Sequence, residues 1–307
     1  IIRTGDNQIY VGTYNGLCRY IASNEKFEKI PLPVNSSQSN LFVNSLLEDT
    51  GRQCIWIGTE GYLFQYFPST GQMKQTEAFH NNSIKSLALD GNGDLLAGTD
   101  NGLYVYHNDV TPLQHIIHDS RNIQSLTNNI IWNIFADQEH NIWLGTDYGI
   151  SLSRYNSALQ FIPISQITGT GDGNQFYSLF RDSKGFYWFG GTNGLIRFTD
   201  PAGDKHNAIW YRMGDKTYPL SHNRIRHIYE DKEQQLWIAT DGSINRYDYA
   251  TRQFVHYNIV DSTGTYNTNW TYYMFEDNAG HLWISTCLGG IFVVDKHRLM
   301  QSASGQY

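Results

Sequence analysis

Seven copies of one short strand constrain this chain more than any other feature of its sequence. They read Tyr10-Val-Gly-Thr13, Trp56-Ile-Gly-Thr59, Leu96-Ala-Gly-Thr99, Trp143-Leu-Gly-Thr146, Trp188-Phe-Gly-Gly-Thr192, Trp237-Ile-Ala-Thr240 and Trp283-Ile-Ser-Thr286, at spacings of 46, 40, 47, 45, 49 and 46 residues. Six residues before most anchors stands an Asp, as in Asp137, Asp182, Asp231 and Asp277. After the anchor comes a Gly-rich turn and another strand, as in Asn15-Gly-Leu-Cys-Arg-Tyr20 or Asn193-Gly-Leu-Ile-Arg-Phe198. In the second unit, Asn44–Glu48, Ile55–Gly58, Leu63–Tyr66 and Gln72–Thr76 are four short runs separated by Gly, Pro and Asp turns. Period-two alternation with tight turns predicts antiparallel meanders, and no ten residues carry a sustained helical stripe.

Four-stranded units of this length, repeated seven times, predict an all-β fold. The expected architecture is a single seven-bladed β-propeller of four-stranded antiparallel blades over residues 1–307. The blades fall near 1–35, 36–80, 81–122, 123–168, 169–216, 217–263 and 264–307. A lone sheet cannot bury both faces, so blades pack side by side with the anchor Trp between neighbours. Residues 1–4 align with the innermost strand of the other units, and Ser304–Tyr307 with the start of an outermost strand. The last blade is therefore expected to lack most of its outer strand, and blade one to close on blade seven by packing. Gly190-Gly191 reads as a one-residue insertion. The chain opens on Ile and reads as a soluble fragment cut from a longer precursor.

Charge and cysteine count exclude several classes. With 22 Lys+Arg against 29 Asp+Glu, the net charge of −7 lacks the basic footprint of a nucleic-acid binder. No run approaches the ~18–20 apolar residues of a membrane span. Cys18, Cys54 and Cys287 are too few and scattered for a disulfide framework or metal cluster, and read as semi-buried apolar side chains.

The recurring Asp, short turn, Trp-Ile-Gly-Thr, then Gly-Leu and an aromatic-ended strand resembles the two-component regulator propeller repeat. The resemblance is clearest over Asp137–Tyr155, Asp182–Phe198 and Asp231–Tyr247, and it extends over all seven units. It implies the periplasmic sensor region of a hybrid two-component histidine kinase of the Bacteroidetes. Such regions carry a second propeller, a β-sandwich, a membrane helix and cytoplasmic signalling domains, and take oligosaccharides as inputs. The kinase and receiver residues would lie outside this chain, and dimerisation is expected of the full receptor.

No catalytic residue, metal ligand or cofactor is expected. His115 and His118 are three apart on a predicted strand, so they point to opposite faces. No zinc-protease, nucleophile-elbow or phosphate-loop motif occurs. The recurring Asp, the Thr of each anchor, and the Asn eight residues before the Asp (Asn82, Asn129, Asn174, Asn223, Asn269) repeat too regularly to be a site. An Asp that accepts backbone N–H bonds in a tight turn serves the blade. Glu60, Glu230 and His227 are the weak candidates for a carbohydrate-active lyase or glycosidase, and no spacing unites them.

Function on a repeat scaffold sits where the copies disagree. Five residues before the Asp stand Asn44, Lys85, Trp132, Tyr177, Arg226 and Tyr272 in blades two to seven. Aromatic rings, amides and cations at one mouth of the channel suit a sugar: rings stack on pyranose C–H faces while Lys, Arg and Asn bond hydroxyls or acidic groups. Two readings stay open, a ligand site and side chains that plug the channel. Loops on that face are long and polar (Asn35–Asn40, Asp119–Asn129, Thr168–Asn174, Met213–Asn223, Asp261–Asn269), and turns add Tyr14, Glu60, Asp147, Tyr148 and Asp241. Ser221–His227 is its most basic stretch. The expected ligand-binding set is Lys85, Trp132, Tyr177, His222, Arg224, Arg226, Trp270 and Tyr272, for an oligosaccharide, an anionic one included, or a partner domain. The expected function is a non-enzymatic glycan sensor or the support of a neighbouring domain that binds the ligand. A propeller enzyme and a pure scaffold are the alternatives.

Overall fold

The computed structural model describes residues 1–33, 42–76, 79, 82–107, 114–155, 162–163, 175–199, 208–217 and 219–302. They form seven antiparallel sheets with sequential strand order, six of four strands and one of three. The fold is a seven-bladed β-propeller. The chain divides into two compact units, residues 1–163 and 164–307. The first holds blades one to four and the second blades five to seven.

Each blade is a meander because its turns leave no alternative. In blade four, Ile131–Ala136, Ile142–Thr146, Gly149–Ser153 and Ile162–Pro163 pair in order. In blade six the strands are Ile225–Glu230, Leu236–Thr240, Ile244–Asp248 and Gln253–Tyr257. The repeated Asp does what tight-turn chemistry requires. Asp137 Oδ1 accepts from the N–H groups of Glu139 (3.1 Å) and Asn141 (2.8 Å). Its second oxygen makes a bond that the sequence did not announce, accepting from Trp143 Nε1 at 2.8 Å. The same Asp–Trp bond recurs at Asp49–Trp56, Asp182–Trp188, Asp231–Trp237 and Asp277–Trp283. A buried indole thus finds its acceptor six residues back, or seven in blade two, on the turn it stands over. Burial works against the charge of Asp49 and Asp277, but bonds from Trp56 and Arg52, and from Trp283 and His281, outweigh it and hold both carboxyls below their usual range.

The anchor Trp packs between adjacent blades. Trp56 lies among Leu63, Ile84 and Leu87, and Trp237 among Tyr257, Met274 and Leu282. The anchor Gly has a steric reason. A Cβ at Gly58 would stand 2.6 Å from Ile84 Cγ2 of the next blade, one at Gly98 2.7 Å from Ile131, and one at Gly190 2.4 Å from Ile225. Blade six carries Ala239 in that place, and the next blade offers the smaller Thr271 there. The recurring Asn also binds neighbours: the carbonyls of Asn82, Asn129 and Asn223 accept from Gly61, Gly102 and Gly194 of the preceding blade.

One expectation is corrected. Gly190-Gly191 is no insertion, because Gly191 pairs with Phe176 as Thr146 pairs with Ile131, so Gly191 replaces the anchor Thr. Thr192 then donates its N–H to Gln175 as Asp147 does to Ile130. In blade seven the third strand, Ile291–Asp295, runs into a short helix, α1 (Lys296–Gln301), capped by Asp295. Ser304–Tyr307, aligned above with an outer strand, lie outside the described residues, as do the loops Asn35–Asn40 and Thr168–Asn174.

Helix α1 brings a group that the sequence reading missed. Lys296 is fully buried, with Nζ 2.9 Å from Glu276 Oε1, 3.2 Å from Asp231 Oδ2 and 3.6 Å from Glu233 Oε2. Burial alone would lower its pKa, but its bonds to Glu276 and Asp231 more than offset this and raise it.

Candidate functional site

The six variable positions share one local geometry. In blade four, Ile131 pairs with Thr146 and Asn133 with Gly145, so the register shifts at Trp132, which is an extra residue in the ladder. Asn44, Lys85, Tyr177, Arg226 and Tyr272 occupy the same register shift in their blades. A β-bulge turns its residue away from the regular alternation and re-aims the side chain. That frees this position from core packing and lets its identity vary from blade to blade.

In the first unit, Lys85 Nζ lies 4.4 Å from the centroid of the Trp132 ring, and Trp132 Nε1 donates to Asp147 Oδ1 at 2.5 Å. Asn44 Nδ2 donates to Ser83 Oγ at 3.2 Å. In the second unit, the Arg226 guanidinium lies 5.5 Å from the Tyr177 ring and 4.8 Å from the Tyr272 ring. It donates from Nε to Asp241 Oδ1 at 2.7 Å and from Nη2 to Oδ2 at 3.2 Å. Burial opposes the charge of Arg226, but Asp241 and the two tyrosines raise its pKa, and the group stays a cation. Tyr177 Oη donates to Gln175 Oε1.

Beside this cluster, Arg224 Nη1 lies 3.7 Å from Asp241 Oδ2 with 43% of its side chain exposed. His222 Nδ1 accepts from Arg224 N–H at 3.0 Å, which turns this histidine into part of its own loop. Trp270 and Tyr272 are 48% and 42% exposed. The structure thus brings Lys85 to Trp132, and Tyr177, Arg226 and Tyr272 to one another, with Arg224, Trp270 and His222 at the flank. Asp147 and Asp241, noted above only as turn residues, are the partners that hold Trp132 and Arg226. The missing signal was spatial: each lies fifteen residues from its partner, across the first hairpin of its blade.

Two of the candidates for an enzyme, Glu230 and His227, are otherwise engaged. Glu230 accepts from Ser183 N–H and Oγ, both at 2.9 Å, as Glu48 accepts from Gly5 and Glu276 from Lys232. A clasp repeated in three blades is structural. Glu60 forms an isolated bridge with Ser83. His115 bonds the Asn101 carbonyl at 2.7 Å and His118 that of Leu126, so the two serve different loops. Among the described residues, no group of three His, Cys, Asp or Glu side chains could hold a metal ion.

His227 Nδ1 accepts from Met274 N–H at 3.2 Å, and its ring stacks on Tyr273 at 4.0 Å. Desolvation lowers its pKa to about 3. A histidine depressed from 6.5 in this way contributes stability that is complete above pH 6.5 and is lost as pH falls toward the folded value. Between pH 7.5 and 5 the loss is about 2 kcal/mol. Urea midpoints at the two pH values should fall further for the natural chain than for His227→Asn, which keeps an acceptor and cannot titrate there. Equal falls would show a ring that ionises freely in the folded protein.

The family model of the two-component regulator propeller matches residues 125–148, 170–193 and 219–242. The whole chain is 93% identical to part of the extracellular domain of a hybrid two-component system from B. thetaiotaomicron, covering 41% of that chain with a TM-score of 0.50. A second such extracellular domain from that organism is 21% identical over 97% of this chain and 39% of its own, with a TM-score of 0.76, and shows the shared fold. Histidine kinase P4 of Formosa agariphila is 26% identical over 88% of this chain and 20% of its own length. The chain therefore spans well under half of each relative. Among the described residues, no helix is long and apolar enough to cross a membrane. Three of its repeats thus match the two-component regulator propeller model, and the chain resembles the extracellular domains of hybrid two-component systems.

Proposed function

We propose that the chain is a periplasmic, non-enzymatic sensor module of a hybrid two-component receptor, and that it holds an oligosaccharide released from a larger glycan. The observation that carries this reading is the set of bulged aromatic and cationic side chains. Tyr177, Arg226 and Tyr272 in one unit, and Lys85 with Trp132 in the other, are placed by blades that otherwise repeat. Tighter binding to one receptor arrangement than another would shift the population and pass the signal to a kinase elsewhere in the receptor. A second propeller, a β-sandwich and a receptor homodimer are the partners this reading brings. The pairing of Arg226 with Asp241 favours one rival, a scaffold whose ligand is bound elsewhere, since that guanidinium already has its hydrogen-bond acceptor.

Melting curves against neutral and acidic oligosaccharides test the reading. A ligand at 100 times its dissociation constant adds about 2.7 kcal/mol to the folded state. The expected result is an upward shift with one class of sugar that Tyr272→Ala abolishes. No shift with any sugar would leave the scaffold.

A further inference from the structure

We propose that Arg224, Asp241 and Trp270 form a subsite for one neutral hexopyranose residue with two adjacent free hydroxyls. The inference rests on the oligosaccharide reading above and narrows it. Main-chain hydrogen bonds tie the three residues in a row across blades six and seven. Asp241 N–H donates to the Arg224 carbonyl at 3.2 Å, Trp270 N–H to that of Asp241 at 3.1 Å, and Cys287 N–H to that of Trp270 at 3.1 Å.

Trp270 adopts the left-handed backbone region at φ 55°. Among the described residues, the other non-glycine residues with positive φ are Asn7, Glu25, Gln53, His140, Gln234 and Arg252, all polar. A bulky side chain is costly there, and such cost collects at binding sites. Here the conformation sends the N–H of Trp270 to Asp241, and the residue is about half exposed. An open indole face beside polar groups is a platform for the C–H face of a pyranose.

The polar half of the subsite is a donor next to an acceptor. Arg226 holds both oxygens of Asp241, yet each carboxylate oxygen accepts more than one bond. Arg224 reaches Oδ2 only at 3.7 Å, beyond hydrogen-bond length, and its side chain is 43% exposed. Two neighbouring hydroxyls fit between them, one donating to Asp241 and one accepting from Arg224. A carboxylate or sulfate bound on Arg224 would instead face the charge of Asp241, so the pair favours a neutral sugar.

Calorimetric titration with β-1,4-linked tetrasaccharides of glucose, galactose and mannose, and with tetragalacturonate, tests this. One neutral tetrasaccharide should bind. Trp270→Ala and Arg224→Ala should each weaken it about tenfold, the scale of one aromatic or charged contact. Its 2,3-di-O-methyl derivative should bind at least as poorly, and Phe27→Ala, on an outer strand of the other unit, should leave affinity unchanged. Binding that both variants leave intact, or binding of tetragalacturonate alone, overturns the subsite and leaves the oligosaccharide reading standing. Silence across all four sugars overturns both.

Discussion

Lys296→Met should cost about 3–5 kcal/mol of stability, because it strips the counter-charge from two buried carboxylates while keeping the side-chain volume. Glu276 is 4% exposed and the side chain of Asp231 is fully buried, so neither can turn to water when the ammonium goes. Asp231 keeps its bonds from Trp237 and from the N–H groups of Glu233 and Gln235. Glu276 keeps the N–H bond from Lys232, and it should bear most of the loss. Equilibrium urea unfolding measures the effect. Adding Glu276→Gln should recover part of it, since a neutral amide removes one stranded charge. A loss under 1 kcal/mol for Lys296→Met would mean that the cluster is hydrated and α1 is loosely held. The raised pKa of Lys296 has a further sign: its contribution is complete below the ordinary lysine value and fades as pH climbs through the higher folded one.

Trp237→Ala should cost a similar 3–5 kcal/mol, for a different reason. The indole is fully buried, its ring centroid lies 5.6 Å from that of Tyr257, and it fills the space between blades six and seven beside Met274 and Leu282. Trp237→Phe keeps much of that volume and loses the 2.9 Å bond to Asp231, so its cost should be nearer 1–2 kcal/mol. Because Lys296 and Trp237 share Asp231 Oδ2, Lys296→Met and Trp237→Phe should be non-additive by 0.5–3 kcal/mol, about the range for residues in one network. Strict additivity in the double variant would argue that Asp231 does not couple them. Blade three shows how the fold does without the indole. Leu96 stands there, packed with Leu103, Leu126 and Ile131, and the free oxygen of Asp90 is met by Asn92 at 3.4 Å.

Much of this architecture is written locally. Period-two alternation, a Gly or Asn at each tight turn and an Asp six residues before an anchor Trp each act within ten residues, so every blade carries its own instructions and seven copies state them seven times. Repetition also separated blade-building residues from candidates: the Asp, Asn and Thr of the repeat all serve backbone or indole. The variable position before each Asp was legible for the same reason, as the one place where the copies disagree.

What tertiary structure decided is where side chains from different segments meet. That Asn44, Lys85, Trp132, Tyr177, Arg226 and Tyr272 are bulged residues depends on pairing with a second strand, and no single strand announces it. Asp241 becomes the anchor of Arg226 only when the hairpin closes. The left-handed turn of Trp270 is held by a carbonyl 29 residues earlier in the chain, and Lys296 finds Asp231 across 65 residues. Short-range pattern sets which segments become strands, since hydrogen-bond ladders and turns are local choices of dihedral angle. Ion pairs and stacked rings act through space at 3–6 Å, and only the packed blades fix those distances.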